Sequence, residues 1–392
     1  MAITKIEVPE LFDFGSDNSA FKLPTGTTAE RPTSPSNGEM RFNTTTGYVE
    51  YYDTTDTQWW EIDYTPDPFV PSENFNAVLY TGTGSGSKSV TGVGFQPDLV
   101  WGKSRNDTIS HILFDVVRGE NKQLSSNTTG AEVTRASAAY EFDSDGFTVT
   151  TAGNLNNAVN YVAWNWKAGG TAVSNTDGTI TSQVSANVDA GFSIVSTQSD
   201  GSGYLNFGHG LSQAPELVIT KFTSQTGQWY TYTSAISNGF DVALKLNSAD
   251  AAITAYGANK WSSTDSVVGV GNPQWYFTAN VPFITYCFHS VDGYSKIGSY
   301  VGTGATGNTI VTGFEPAWVI IKSTSSSGTA WNMWDNKRTP YDMLRANTSE
   351  SEFSGPGRIT FSTTGFQLLD NDASRNSSGG NYIFMAFAAD PT

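Results

Sequence analysis

The chain has 392 residues, of which 15% are charged, 38% hydrophobic and 13% aromatic, with 39 glycines. A charged fraction well below the usual ~25% excludes helical bundles and coiled coils, and the aromatic content excludes a disordered chain. A formal net charge of −16 argues against nucleic acid as a partner, and the single cysteine, Cys287, excludes a disulfide framework or a Cys-rich metal site. Three dispersed histidines (His111, His209, His289) leave little material for a His-based centre.

The opening "MAITKIEVPELFDFG" lacks a basic start followed by an apolar core, so neither a signal peptide nor membrane insertion is expected. Residues 1–66 read as an N-terminal β-hairpin module for anchoring or oligomerisation. In it "EMRFN" and "YVEYYD" flank the turn "TTTG", and a third short strand, "QWWEI", follows. Phe42, Tyr48, Tyr51, Tyr52, Trp59 and Trp60 crowd a unit too small to bury them, so they are expected to meet another surface. The proline-rich "TPDPFVP" then serves as a linker.

Beyond it the pattern is short apolar runs punctuated by Gly, Asn, Ser and Asp, which predicts an all-β protein. Three stretches align on Pro97, Pro215 and Pro316, each with a lysine six residues on (Lys103, Lys221, Lys322). "YTGTG" and "YVGTG" precede the first and third prolines, and "GF" follows each of those two at 49 residues. All three copies close on an aromatic strand ("YVAWNW", "FITYCF", "YIFMAF") expected to be central and buried. The pattern predicts three tandem antiparallel β-sandwiches of jelly-roll-like type, at 67–170, 171–298 and 299–392. Each proline is expected at the first position of its strand. A short helix from Ser248, in "SADAAITAYGANKW", is the one helical expectation.

Few residues offer chemistry. Asp143 and Asp145 in "DSDG", and Asp370 and Asp372 in "DNDAS", are turn formers with Ca²⁺ binding as the alternative. Cys287 and His289 share a face of one strand, yet a buried thiol beside an unrelated imidazole is the simpler reading. "TGTGSGSK" fails as a phosphate loop because Ser87 stands where a glycine is required. Trp331, Trp334, Arg338 and Tyr341 are candidates for a receptor or glycan contact. The corresponding first-copy segment, with Asp115 and Arg118 aligned to Asp335 and Arg338, favours a repeat-wide core strand instead.

The residues Arg31, Pro32, Pro35, Gly38, Arg41, Phe42, Asn43, Thr46, Gly47, Glu50, Tyr52, Asp53 and Trp59 form a pattern that resembles a short module in tail-fibre and other virion proteins of tailed bacteriophages. The strings "WNWKAGGTAVSNTDGTITSQVSANVDAGFSIV", "FGHGLSQAPELVITK", "TYCFHSVDGYSKIGSYVGTG" and "GFEPAWVIIK" resemble repeats in structural proteins of marine-type phages. The resemblance implies a virion structural protein assembled in the host cytoplasm, most simply a tail-fibre-type host-attachment protein. It also implies a homotrimer, other virion proteins as partners and a host glycan or receptor as target. Arg31, Pro32, Phe42, Tyr51, Tyr52, Trp59 and Trp60 are the expected anchoring residues. A capsid-decoration, head-fibre or collar protein is the alternative, and a polysaccharide-degrading fibre the third reading. No enzyme activity, cofactor or metal is expected.

Overall fold

The computed structural model describes residues 23–62, 69–135, 139–202, 204–236, 242–254, 261–271, 279–338, 342–355 and 357–389. Two compact units divide the chain at Pro68/Phe69, two residues beyond the expected boundary. The fold is all-β, and no helix among the described residues is long and apolar enough to cross a membrane.

The first unit is a four-stranded sheet. Its strands β1 (Thr25–Gly26), β2 (Met40–Asn43), β3 (Tyr48–Asp53) and β4 (Gln58–Ile62) lie in sequence order. β2, β3 and β4 are antiparallel, and β1 adds in parallel to β2. Gly47 closes the expected turn at φ 81°, a backbone conformation that glycine adopts without steric cost.

The second unit repeats one topology. In the first copy the strands are β5 (Phe75–Thr81), β6 (Ser87–Thr91), β7 (Leu99–Ser104), β8 (Ile112–Asp115), β9 (Lys122–Gln123), β10 (Val133–Thr134), β11 (Tyr140–Asp143), β12 (Gly146–Thr150) and β13 (Asn160–Trp166). A large sheet, β5-β13-β7-β8, faces a small one, β11-β12-β6.

The second copy holds β14 (Val173–Asn175), β15 (Ser182–Asn187), β16 (Phe192–Gln198), β17 (Tyr204–Gly208), β18 (Leu217–Phe222), β19 (Tyr230–Thr233), β20 (Val242–Lys245), β21 (Ile253–Thr254), β22 (Trp261–Ser263), β23 (Val267–Gly271) and β24 (Pro282–Phe288). Its large sheet runs β14-β15-β16-β24-β18-β19-β20-β21, and its small one β17-β23-β22.

The third copy holds β25 (Ser295–Val301), β26 (Asn308–Val311), β27 (Trp318–Ser323), β28 (Asn332–Asp335), β29 (Leu344–Arg345), β30 (Ile359–Ser362), β31 (Gly365–Leu368) and β32 (Asn381–Phe387). Its sheets are β25-β32-β27-β28-β29 and β26-β31-β30.

The registers superimpose the copies residue by residue. Leu99, Leu217 and Trp318 open β7, β18 and β27, and each pairs with the last aromatic of the closing strand, Trp166, Phe288 or Phe387. The closing strands β13, β24 and β32 are paired on both sides, as their uninterrupted apolar character requires.

Three expectations need correction. Pro97, Pro215 and Pro316 hold equivalent places, but each lies two residues before its strand. The boundary expected at 298/299 falls inside β25, so the third copy begins at Ser295. Residues 248–254 form no helix: Ile253–Thr254 pairs with β20 because tertiary pairing outweighs a weak local preference.

Each copy packs a core between its own two sheets; in the first this comprises Val90, Val100, Phe114, Phe147 and Tyr161. The outer face of each large sheet is apolar as well, and these three faces share a second core. It joins Trp101, Trp164 and Trp166 to Ile219, Tyr286 and Phe288 and to Trp318, Met333 and Phe387. The three sandwiches are therefore one body rather than separate beads on a string.

Repeated strings mark tight places. In "YTGTG" and "YVGTG", a Cβ on Gly82 or Gly302 would come within about 2 Å of the backbone oxygen of Asn157 or Ser377. The tyrosines of those strings stack on Tyr161 and Tyr382, with centroids 5.1 Å apart in both pairs.

Candidate functional site

Where the copies meet, one bond recurs around the ring. Trp229 Nε1 of the second copy donates to the Ser125 carbonyl of the first at 2.9 Å. Trp331 Nε1 of the third donates to the Lys245 carbonyl of the second at 3.0 Å. His111 of the first copy lies 3.0 Å by its Nε2 from the Arg345 carbonyl of the third. Both the ring residues and the carbonyls are equivalent by register, since Leu124, Leu244 and Leu344 each oppose the matching residue of β8, β19 or β28. In each copy an asparagine side chain (Asn127, Asn247, Asn347) accepts from the backbone N–H of the ring residue.

A second set of backbone bonds closes the same cycle. Glu132 N donates to Thr223 O, Ala252 N to Thr324 O and Glu352 N to Arg105 O, at 2.8, 2.9 and 2.7 Å. The contacts run first to second, second to third and third to first, which is a pseudo-threefold arrangement within one chain.

Two of the three junctions add buried charge. Asp115 accepts from Arg118 Nε at 2.6 Å and from the Tyr286 hydroxyl of the second copy at 2.8 Å. Asp335 accepts from Arg338 Nε at 2.8 Å and from Trp164 Nε1 of the first copy at 3.0 Å. Register assigns the corresponding places of the remaining junction to Thr233, Ile236 and Met385. All three are uncharged, so this junction buries no charge at these places.

The conserved-offset lysines point to the shared core. Each is buried, and each ammonium group donates to backbone carbonyls: Lys103 to Ser104, Lys221 to Phe222 and Lys322 to Thr329, at 2.7, 2.8 and 2.8 Å. Burial pushes all three down to about 8. His111, desolvated and near Lys103, is held well below the ordinary imidazole range.

These positions bear on the earlier candidates. Trp331 and Trp334 are buried, and Arg338 is engaged with Asp335 and lies over the Trp164 ring at 5.7 Å, so none of the three is offered to a receptor or glycan. Tyr341 lies outside the described residues. Asp145 accepts from the backbone N–H groups of Gly92 and Gly94, and Asp143 from the Thr148 hydroxyl. Asp370 pairs with Arg375, and Asp372 caps Ser374. All four aspartates thus act in turns; no metal-holding cluster of His, Cys, Asp and Glu occurs among the described residues. Cys287 is buried and its thiol is pushed up to about 12, while His289 Nδ1 contacts the Ser290 carbonyl.

In the N-terminal sheet, register sorts the side chains onto two faces. Arg41, Asn43 and Glu50 are buried on one. Glu50 accepts from Arg31 and from Asn43, and Arg41 lies 3.5 Å away. Burial alone would raise the Glu50 carboxyl, but the Arg31 and Asn43 hydrogen bonds and both guanidinium charges outweigh it and hold it low. Trp59 and Tyr52 pack on this side, with centroids 5.5 Å apart. Phe42, Tyr51 and Trp60 lie on the other face, with Met40, Val49 and Ile62. Pro32 is exposed in the segment before β2.

Sequence reasoning missed the junction donors, although a signal was present. His111, Trp229 and Trp331 stand 14, 14 and 15 residues after the three prolines, each a side chain with a ring N–H.

Over residues 70–391, nearly the whole second unit, the chain belongs to the family described as a domain of unknown function, DUF7483. No curated protein matches the chain at a significant level.

Proposed function

We propose that the chain is a non-enzymatic structural protein of a bacteriophage virion, of the tail-fibre host-attachment type, with the first unit as its anchor and residues 69–392 as the presented body. The sequence resemblance supplies the class. The single structural observation that supports it is the closed ring of copy-to-copy contacts. A ring locked by buried aromatic, backbone and ionic contacts is a rigid platform, and each of its three copies carries its own loops. Three weak contacts on one rigid body gain avidity through effective concentration without any new interaction.

Because the ring closes within one chain, we infer one chain per ring, where fibre proteins of the resembled class use three chains. Compactness also keeps the decoration or head-fibre reading in play, since the chain has no shaft-forming repeat. The experiment that separates the readings locates the protein on intact particles by antibody labelling and measures binding of the purified full chain to host cells. Tail labelling with saturable cell binding supports attachment. Head labelling without cell binding moves the protein to decoration, and failure to find it in particles removes the virion reading.

A further inference from the structure

We propose that the open face of the N-terminal sheet is a docking surface for a different protein, one whose contact patch is apolar at its centre and rimmed by lysine and arginine. The proposal rests on the reading of this unit as the anchor. Met40, Phe42, Val49, Tyr51, Trp60 and Ile62 make up the face, and none of the six is buried. Met40 and Trp60 are each 42% exposed and Ile62 38%, an unusual display for three neighbouring strands. The opposite face carries the cluster of Arg31, Arg41 and Asn43 around Glu50, and no described residue of this unit lays a second apolar layer over the open face.

Charge decides the kind of occupant. Residues 23–62 contain only two cations, Arg31 and Arg41, and both are held by Glu50. The remaining ionic groups are acidic: Glu30, Glu39, Asp56 and Glu61 are exposed, and Asp53 is half-buried. A second copy would set two net-acidic sheets against each other, on chains that each carry −16. A partner with a basic rim turns the same charges into attraction and steers the encounter.

The test uses the full chain with Ile62→Cys, labelled with a benzophenone maleimide. Cys287, the one native thiol, is fully buried and stays unlabelled. The labelled protein is added to particles that lack it, irradiated, and the cross-linked peptides are identified. The expected result is a cross-link to a particle protein, with binding weakened about tenfold between about 50 and 500 mM NaCl. Trp60→Ala is expected to weaken binding about tenfold as well, with Met40→Gln as the substitute should Trp60→Ala unfold the sheet. A cross-link to a second copy or to residues 1–22 of the same chain overturns the proposal, as does binding indifferent to salt. If the chain enters particles while the face cross-links elsewhere, the anchor reading stands and this proposal falls. If it does not bind particles at all, both fall.

Discussion

Trp164 of the first copy donates its indole N–H to the carboxylate of Asp335 in the third, 171 positions further along the chain, at 3.0 Å. The same carboxylate neutralises Arg338, which is buried. A bond of this kind ties the stability of one copy to the sequence of another.

Removing Asp335 should therefore cost more than a hydrogen bond. Asp335→Ala leaves the buried Arg338 guanidinium with only the longer Glu352 contact, at 3.5 Å, as counter-charge, and a loss of about 3 kcal/mol is expected from denaturant unfolding. Adding Arg338→Met should recover most of it, because the stranded charge goes too. A double variant as unstable as the single one would contradict this account.

The carbonyl donors Trp229 and Trp331 sit in different junctions and share no partner. Trp229→Phe and Trp331→Phe should each lose about 1–2 kcal/mol, from a hydrogen bond and a small void. Their effects should add to within about 0.5 kcal/mol. The comparison of single and double variants by urea titration checks it.

Stability should rise with pH above neutrality. Lys103, Lys221 and Lys322 titrate near 8 when folded, against an ordinary 10.5, so between those values the unfolded chain binds more protons. Stability increases with pH wherever that holds, and the melting temperature should climb from about pH 8 to about pH 9.5. Above about pH 10 the buried hydroxyls of Tyr80, Tyr286, Tyr294 and Tyr300, held well above their ordinary value, reverse the trend. Lys221→Met should reduce the rise by about a third, as one of three equivalent lysines. On the acid side His111, held well below 6.5, makes stability fall as pH drops below that value, because the unfolded chain takes the proton first.

One core shared by three copies should make residues 69–392 unfold as a unit. Differential scanning calorimetry is expected to show a single transition for this body rather than three. The Cys287 thiol, buried and pushed up to about 12, should react with a disulfide reagent only as that transition proceeds. Early labelling, or three resolved transitions, would mean that the copies open independently.

The aromatic closing strands β13, β24 and β32 were legible from sequence because a strand that is apolar at every position has to be covered on both faces. Equivalence of the three copies was legible for a related reason. A tight backbone approach at Gly82 and Gly302, and a buried lysine at Lys103, Lys221 and Lys322, leave little choice of residue, so the landmarks survive while the rest diverges. The hairpin of the N-terminal sheet followed from Gly47 and its flanking strands.

What covers the second apolar face was not legible. Alternation along Leu99, Trp101 and Lys103 shows that a face is buried, but burial against a small sheet and burial against two other copies leave the same trace in a linear sequence. The repeat alignment already favoured the core for Trp331 and Trp334; only the tertiary structure decided that Trp331 bonds the Lys245 carbonyl of the second copy, that Arg338 belongs to Asp335, and that Thr233, Ile236 and Met385 stand together. Those facts depend on which side chains meet across more than a hundred residues of chain. Local propensity and spacing determine strands and turns; partners between copies are chosen by packing, where distance along the chain carries no information.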